Sequence, residues 1–164
     1  MPLDRAALHA AQMFAAPWLD LAASVVGLFG QAEVTAGLAL GLAAARYRRE
    51  PRDAIGPLLI AVTVVVEAVL KTVVVQAPLP PERSRTLELL PAFHVPFAFS
   101  YPSGHVARTT FLLAIARGLP RWAVVAGVLL MVATRVYLAE HWLSDTIGGV
   151  LLGLAVAAVA RRVR

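Results

Sequence analysis

The segment from Arg121 to Ala160 reads RWAVVAGVLLMVATRVYLAEHWLSDTIGGVLLGLAVAAVA. Two apolar stretches, 121–138 and 143–160, are separated by a short turn that holds polar residues. Each stretch approaches the length of about 20 residues that a helix needs to cross the hydrocarbon core of a bilayer. The segment therefore predicts two membrane helices that run in opposite directions and are joined by a polar turn.

The rest of the chain has the same character. Three more apolar stretches cover 20–45, 54–76 and 103–117, of which the last is the shortest. Apolar residues at helical spacing over 3–16 predict a short amphipathic helix at the membrane interface. Residues 77–101 contain five prolines and mixed charges, which indicates an extramembrane loop. The sequence thus predicts one all-α domain over 1–164, a polytopic membrane helix bundle of about five transmembrane helices plus the N-terminal helix.

The composition excludes several classes of protein. The chain has 164 residues, of which 59% are hydrophobic and only 15% are charged, too few for the surface of a soluble domain of this size. No cysteine is present, which excludes disulfides and thiolate metal sites. The net charge of +5 comes from arginines between apolar stretches, so we expect membrane lipids as neighbours and not nucleic acid. The N-terminus has no pattern of a removable signal peptide.

The arginines also predict an orientation. Basic clusters lie at 46–52, between the first two spans, at 117–121, between the third and fourth, and at 161–164, after the fifth. Five spans place all three clusters on one side, which the positive-inside rule assigns to the cytoplasm. The N-terminus would then lie outside and the C-terminus inside. This topology collects six polar residues on the outer face: Lys71, Ser103, His105, Arg135, His141 and Asp145.

His141 and Asp145 are four residues apart, so they share one face of a helix. If Asp145 accepts a hydrogen bond from one ring nitrogen of His141, the other nitrogen is free to attack an electrophile. An isolated pair of this kind is also typical of a histidine that helps to cap a helix, with the carboxylate exposed at the interface.

Ser103-Gly104-His105 follows Pro102 and precedes an apolar stretch. Ser103 is a good N-cap, and the free backbone N–H groups of a helix start suit a phosphate. Gly104 would let the backbone approach such an anion closely, and His105 would stand where a general acid is needed. An ordinary capped helix has the same pattern.

Two cations lie near the predicted outer ends of spans. Lys71 and Arg135 either bind an anionic ligand or extend to the interface as membrane anchors. Glu67 precedes Lys71 by one helical turn and is expected to pair with it. His9 and His94 have no partner in the pattern and are predicted to be surface histidines.

Together these motifs resemble the type 2 phosphatidic acid phosphatase family, which contains membrane lipid phosphatases and, among its soluble relatives, vanadium haloperoxidases. The family motifs are K-x6-R-P, P-S-G-H and S-R-x5-H-x3-D. The second is complete here as Pro102-Ser103-Gly104-His105, and the third is matched by Thr134-Arg135, His141 and Asp145, with Thr in place of Ser. The resemblance covers about residues 54–160.

The resemblance implies a mechanism. His141 would attack phosphorus and become a phosphohistidine, Asp145 would orient it, and His105 would protonate the leaving group and then activate water. The phosphoryl oxygens would be held by Lys71, Ser103, the Gly104 backbone and Arg135, with no metal or cofactor. The substrate would be a lipid phosphate or diphosphate, such as undecaprenyl diphosphate, phosphatidylglycerol phosphate or phosphatidic acid, at the outer face of a bacterial plasma membrane.

The first motif departs from the family pattern. Lys71 is present, but Pro78 and Leu79 stand where Arg and Pro belong. Arg83, Arg85 or Arg108 would have to replace the missing phosphate-binding arginine. Arg83 and Arg85 are equally typical of solvated loop charges, and Arg108 of an ion pair with Glu33 or Glu67.

Three other functions are compatible with the sequence. The missing arginine favours a degenerate, non-catalytic phospholipid-binding membrane protein. A lipid phosphotransferase would use the same residues and differ only in the acceptor. A small transporter or scaffold would not explain why the motifs share one face. The sequence leaves the oligomeric state open.

Overall fold

A computed structural model describes residues 2–90 and 96–163, and within them the chain forms seven α-helices and no strand. The all-helical fold is therefore confirmed. His94 lies outside the described residues, as do the central part of the 77–101 loop and Arg164. The helices are α1 Pro2–Gln12, α2 Pro17–Leu28, α3 Ala32–Tyr47, α4 Pro51–Val73, α5 Gly104–Ile115, α6 Arg121–Tyr137 and α7 Leu143–Arg162.

Two of these helices are each long and apolar enough to cross a membrane. They are α4, with 23 residues, and α7, with 20, and the pair α1 and α2 would add a third span although it is bent by 119°. By length and apolar character, fewer helices qualify than the five spans predicted. The helices α3, α5 and α6 are too short, with 16, 12 and 17 residues. The short α5 is the helix that the sequence also marked as its shortest stretch.

The apolar stretch 20–45, counted as one span in the sequence, forms parts of two helices. The chain leaves the helical path at Phe29–Gln31, between α2 and α3. Gly30 lies at this break, and glycine has a low helix propensity. The Gly30 carbonyl accepts a hydrogen bond from Arg108 Nε at 3.2 Å, and the His105 side chain lies directly against the glycine Cα. The break therefore faces the polar residues of α5.

The helix α5 is the centre of the bundle. Its Phe111 and Ile115 are almost fully buried and pack against Ala157 and Ala160 of α7. Two glycines of α7, Gly149 and Gly153, allow the two helices to approach closely. A Cβ at Gly153 would lie 2.5 Å from the backbone oxygen of Ala107 and 2.7 Å from Thr110 Cβ.

We expect Gly153→Ala to destabilise the protein by about 1–3 kcal/mol, because a backbone oxygen inside a packed helix cannot move aside. Gly41→Ala in α3 is the matched control, since nothing lies within 4 Å of a Cβ at that position. It should be neutral or gain up to about 1 kcal/mol from helix propensity. Thermal unfolding in detergent measures both, and equal melting temperatures for the two variants would contradict this packing.

Basic residues meet at one end of the bundle. Arg46 donates to the Ile115 carbonyl at 2.6 Å, and Arg161 donates to the Ala114 carbonyl at 2.6 Å. Arg117 pairs with Asp53 at 2.8 Å. These contacts bring members of the three basic clusters together, as the predicted topology requires.

The amphipathic helix α1 lies at the opposite end, against the turn between α6 and α7. Asp4 is buried and its Oδ1 accepts a hydrogen bond from the Ser144 backbone N–H at 2.8 Å, so it caps the start of α7. Leu8 packs with Leu79 and Ala139. The helix ends at Gln12 instead of residue 16, and the exposed Met13 and Phe14 follow it.

Candidate active site

The motif residues lie at the end of the bundle that α1 covers, where four helix termini converge. Lys71 is in the last turn of α4, and Arg135 is in the last turn of α6. Ser103 precedes α5 and His105 is in its first turn. His141 lies in the turn before α7, and Asp145 is in the first turn of that helix.

His141 and Asp145 are paired. His141 Nδ1 lies 3.3 Å from Asp145 Oδ2, and the same oxygen accepts a hydrogen bond from the Trp142 backbone N–H at 3.0 Å. Asp145 is 0% exposed, so the alternative of a carboxylate exposed at the interface is wrong. The carboxylate holds the ring through Nδ1, which leaves Nε2 of His141 as the free nitrogen.

Ser103 occupies the N-cap position of α5, but its hydroxyl does not cap the helix. The residue is 0% exposed, and Oγ has no hydrogen-bond partner among the described residues. Its backbone N–H donates to the Asp145 carbonyl at 3.0 Å, which joins the two motifs. A buried hydroxyl without a partner is costly, and it is available to a ligand that enters the site.

Glu67 forms salt bridges with two cations, Lys71 and Arg108. Lys71 Nζ lies 2.9 Å from Oε1, and Arg108 Nη1 lies 2.5 Å from Oε2. Of the two carboxylates considered for Arg108 in the sequence, Glu67 is therefore the one with which it forms a salt bridge. The carboxylate fills the space that a Cβ at Gly104 would occupy. Gly104 therefore accommodates Glu67. Lys71 Nζ also lies 5.1 Å from the ring centre of Phe97.

Arg135 is buried and forms no salt bridge within the described residues, although Glu140 attracts it at longer range. It is 3% exposed, no carboxylate lies within salt-bridge distance in the described residues, and Nε has no hydrogen-bond partner there. Its guanidinium group lies against α2, where a Cβ at Gly27 would collide with it. An unpaired buried cation at a helix end is an arrangement that an anionic ligand would complete.

A cavity of about 290 Å³ brings three of the predicted residues together on its wall: His105, Arg108 and Arg135. Lys71, Ser103, His141 and Asp145 are not part of that wall. Lys71 and His141 are nevertheless close enough to His105 to interact with it electrostatically, as Arg108 and Arg135 do. The site is thus one cluster, with the cavity on one side of His105.

The two loop arginines, Arg83 and Arg85, do not line the cavity. Arg85 makes a bidentate ion pair with Asp20 of α2, with both N···O distances at 2.8 Å. This hydrogen-bonded carboxylate raises the pKa of the Arg85 guanidinium. Arg83 is exposed and does not line the cavity. Of the three predicted replacements, the structure places Arg108 alone at the site.

Sequence reasoning named only Arg85 from the loop segment 84–90 and nothing from the end of α2. The other residues of that segment and the end of α2 line the cavity. Ser84 and Thr86 donate to Glu140 at 2.9 and 2.5 Å, and the Leu87 N–H donates to Ser24 at 3.0 Å. A signal for α2 was present in the sequence. Glycines at 27 and 30 and the polar pair Gln31 and Glu33 interrupt an apolar stretch, and polar residues inside a membrane segment mark functional sites.

The comparisons with known proteins identify the family and a similar fold. The family model described as PAP2 superfamily matches residues 54–164. A solved transmembrane PAP2-type phosphatidylglycerolphosphate phosphatase from Bacillus subtilis has a similar fold, with a TM-score of 0.74. At 22% identity, the match covers 97% of this chain and 83% of that one. No curated protein matches the chain in sequence.

The similar fold extends beyond the residues that match the family model and includes α1 to α3. The apolar helices and this transmembrane neighbour identify an integral membrane protein. The model match covers two thirds of the chain and includes every residue of the three motifs. The chain belongs to the PAP2 superfamily.

Proposed function

We propose that the protein hydrolyses a lipid phosphate through a phosphohistidine formed on His141. Membership of the PAP2 superfamily makes it a phosphoric monoester hydrolase that acts on lipid phosphates. The observation that carries the mechanism is the hydrogen-bonded pair of His141 Nδ1 and Asp145 Oδ2, with Asp145 fully buried. A buried carboxylate orients the ring and stabilises the positive charge that the imidazole gains on attacking phosphorus.

The phosphoryl oxygens bind to donors at the ends of the helices, and two of these donors have no partner among the described residues. Arg135 and the Ser103 hydroxyl supply buried groups that are unsatisfied in the described residues. The Gly104 N–H contributes the positive end of the α5 dipole, and Lys71 contributes a charge from α4. Fixed donors of this kind stabilise the charge that develops in the transition state.

Arg108 replaces the arginine that the first motif lacks. Its guanidinium has five N–H donors, and the contacts with Glu67 and Gly30 occupy Nη1 and Nε. Arg108 also lines the cavity beside His105 and Arg135. The segment around Pro78 contacts α1, because Leu79 packs against Leu8 of that helix.

The reaction proceeds in two displacements. His141 Nε2 forms a bond to phosphorus while the bond from phosphorus to the lipid oxygen breaks, and His105 gives its proton to that oxygen. His105 then removes a proton from water, and the resulting hydroxide attacks phosphorus. The phosphorus–nitrogen bond breaks, inorganic phosphate leaves, and His141 returns to its initial state. The histidine pair thus alternates between nucleophile and acid–base roles.

The orientation follows from the basic end of the bundle. The arginines at 46–52, 117–121 and 161–163 face the cytoplasm under the positive-inside rule, with all of residues 1–164 in one membrane-embedded domain. The site then opens to the extracytoplasmic side of a bacterial plasma membrane, with the N-terminus outside and the C-terminus inside. The exposed Met13 and Phe14, between α1 and α2, and the exposed Trp18, in the first turn of α2, enter the interface.

Phosphatidylglycerol phosphate, phosphatidic acid and undecaprenyl diphosphate are the substrates to compare, and the name of the structural neighbour favours the first. We expect purified protein to release inorganic phosphate from at least one of these lipids in the presence of a chelator. Vanadate should inhibit the release, because it mimics five-coordinate phosphorus. Absence of phosphate release from all three lipids, or release that vanadate does not inhibit, would contradict the proposal.

A further inference from the structure

We propose that Asp4 of α1 is a positioning residue for the catalytic pair of His141 and Asp145. The inference rests on the proposed phosphatase mechanism and adds a residue that none of the three motifs contains, since α1 lies outside the residues that match the family model. Asp4 acts through the backbone of the first turn of α7, which carries Asp145.

The helix α7 receives its N-terminal cap from α1. Its own N-cap residue is Trp142, whose indole has a hydrogen-bond donor but no acceptor. The first backbone N–H groups of a helix need acceptors from outside the helix ladder. For Ser144 this acceptor is Oδ1 of Asp4, at 2.8 Å and 140 residues earlier in the chain. Asp4 is buried, so the carboxylate, and not water, satisfies this N–H.

The direction of the Asp145 side chain depends on this first turn. Oδ2 accepts a hydrogen bond from the Trp142 N–H at 3.0 Å and lies 3.3 Å from His141 Nδ1. The buried Oδ1 has no hydrogen-bond partner among the described residues. With so few contacts of its own, the carboxylate follows the backbone that carries it. Asp4 binds that backbone at Ser144, the residue directly before Asp145.

The helix α1 also holds the chain on the other side of His141. Gln12 Nε2 donates to the Tyr137 carbonyl at 3.1 Å, and Leu8 packs against Ala139. Ala139 has a φ of 55°, a left-handed conformation that residues other than glycine rarely adopt. A turn that contains such a residue depends on contacts from outside it, and α1 supplies contacts both before and after His141.

The test uses Asp4→Ala and measures two quantities. The first is kcat for whichever of phosphatidylglycerol phosphate, phosphatidic acid and undecaprenyl diphosphate the wild type hydrolyses fastest, and the second is the inhibition constant, Ki, for vanadate. We expect kcat to fall by about tenfold, Ki to rise by a similar factor and KM to change by less than about twofold, because a misplaced His141 weakens the transition state more than the bound substrate.

The Ki for vanadate separates positioning from folding. It is a property of the folded molecules and does not depend on how many of them are present. A loss of folded protein alone would lower the apparent kcat and leave Ki unchanged, and that result would overturn the inference.

Asp4→Asn is the matched variant, because asparagine keeps an acceptor oxygen without the charge and is an equally good helix cap. It should bring kcat and Ki to within about threefold of the wild-type values. Arg5→Ala changes an exposed neighbour on α1 and should have no effect. An Asp4→Asn protein as impaired as Asp4→Ala, beside an active wild type, would overturn the inference and leave the proposed function intact. A wild-type protein that releases no phosphate would refute the proposed function and the inference with it.

Discussion

His141→Ala should reduce phosphate release from lipid phosphates by at least about a thousandfold, the scale of effect seen when a covalent nucleophile is removed. The buried Asp145 holds His141 through Nδ1, which leaves Nε2 of the ring free to attack phosphorus. Without His141, neither the phosphoryl-enzyme nor its hydrolysis can occur. The measurement is the initial rate of phosphate release by purified protein in mixed micelles.

Folding has to be separated from catalysis in this variant. The His141 side chain is partly exposed, and its one hydrogen bond to the described residues is with Asp145, so its removal should leave the melting temperature close to that of the wild type. His9→Ala is the matched control, because His9 is an exposed histidine on α1. It should keep full activity. Activity of a folded His141→Ala protein near the wild-type level would exclude His141 as the nucleophile.

Arg108→Ala should reduce kcat/KM by about one hundredfold to one thousandfold, the usual range for loss of a donor that stabilises developing charge. The affinity for vanadate should fall as well, which a purely structural role would not require. Glu67 keeps its second partner, Lys71, so the carboxylate is not left unpaired in the bundle. The measurements are steady-state kinetics and vanadate inhibition.

Arg85→Ala is the control for this variant. It breaks the ion pair with Asp20 and loosens the loop, but the guanidinium does not line the cavity. A loss below about tenfold is expected, as for a partly exposed ion pair. A larger loss in Arg85→Ala than in Arg108→Ala would mean that the loop arginine, and not Arg108, replaces the residue that the first motif lacks.

The all-helical membrane fold could be predicted from the sequence because it depends on local patterns of apolar residues. The position of the motif residues at one end of the bundle could be predicted in the same way, from the positions of the arginines. In a membrane, the long apolar stretches of α4 and α7 are stable as helices. The arginine clusters indicate which ends of the helices lie on the same side. Glu67 and Lys71 pair because they are four residues apart on one helix. Arg108 needs a carboxylate partner because an isolated charge in a membrane segment is costly.

The details that were missed depend on contacts between segments far apart in the chain. The break at Gly30 is in contact with Arg108 and His105, which are more than seventy residues away in the chain. The bidentate pair of Arg85 with Asp20 likewise joins the loop to α2 across 65 residues. Local propensity contains no information on such pairs. The free Ser103 hydroxyl is a similar case, since its residue occupies the N-cap position that usually uses the side chain.

The central claim is that the phosphoryl group passes through His141. The direct measurement uses phosphatidic acid labelled in its phosphate, rapid quenching in alkali, in which phosphohistidine is stable, and mapping of the labelled peptide. We predict an alkali-stable, acid-labile label on the peptide that contains His141 in the wild type, and none in His141→Ala. Rapid phosphate release with no label on the protein, or with the label on another residue, would contradict the mechanism.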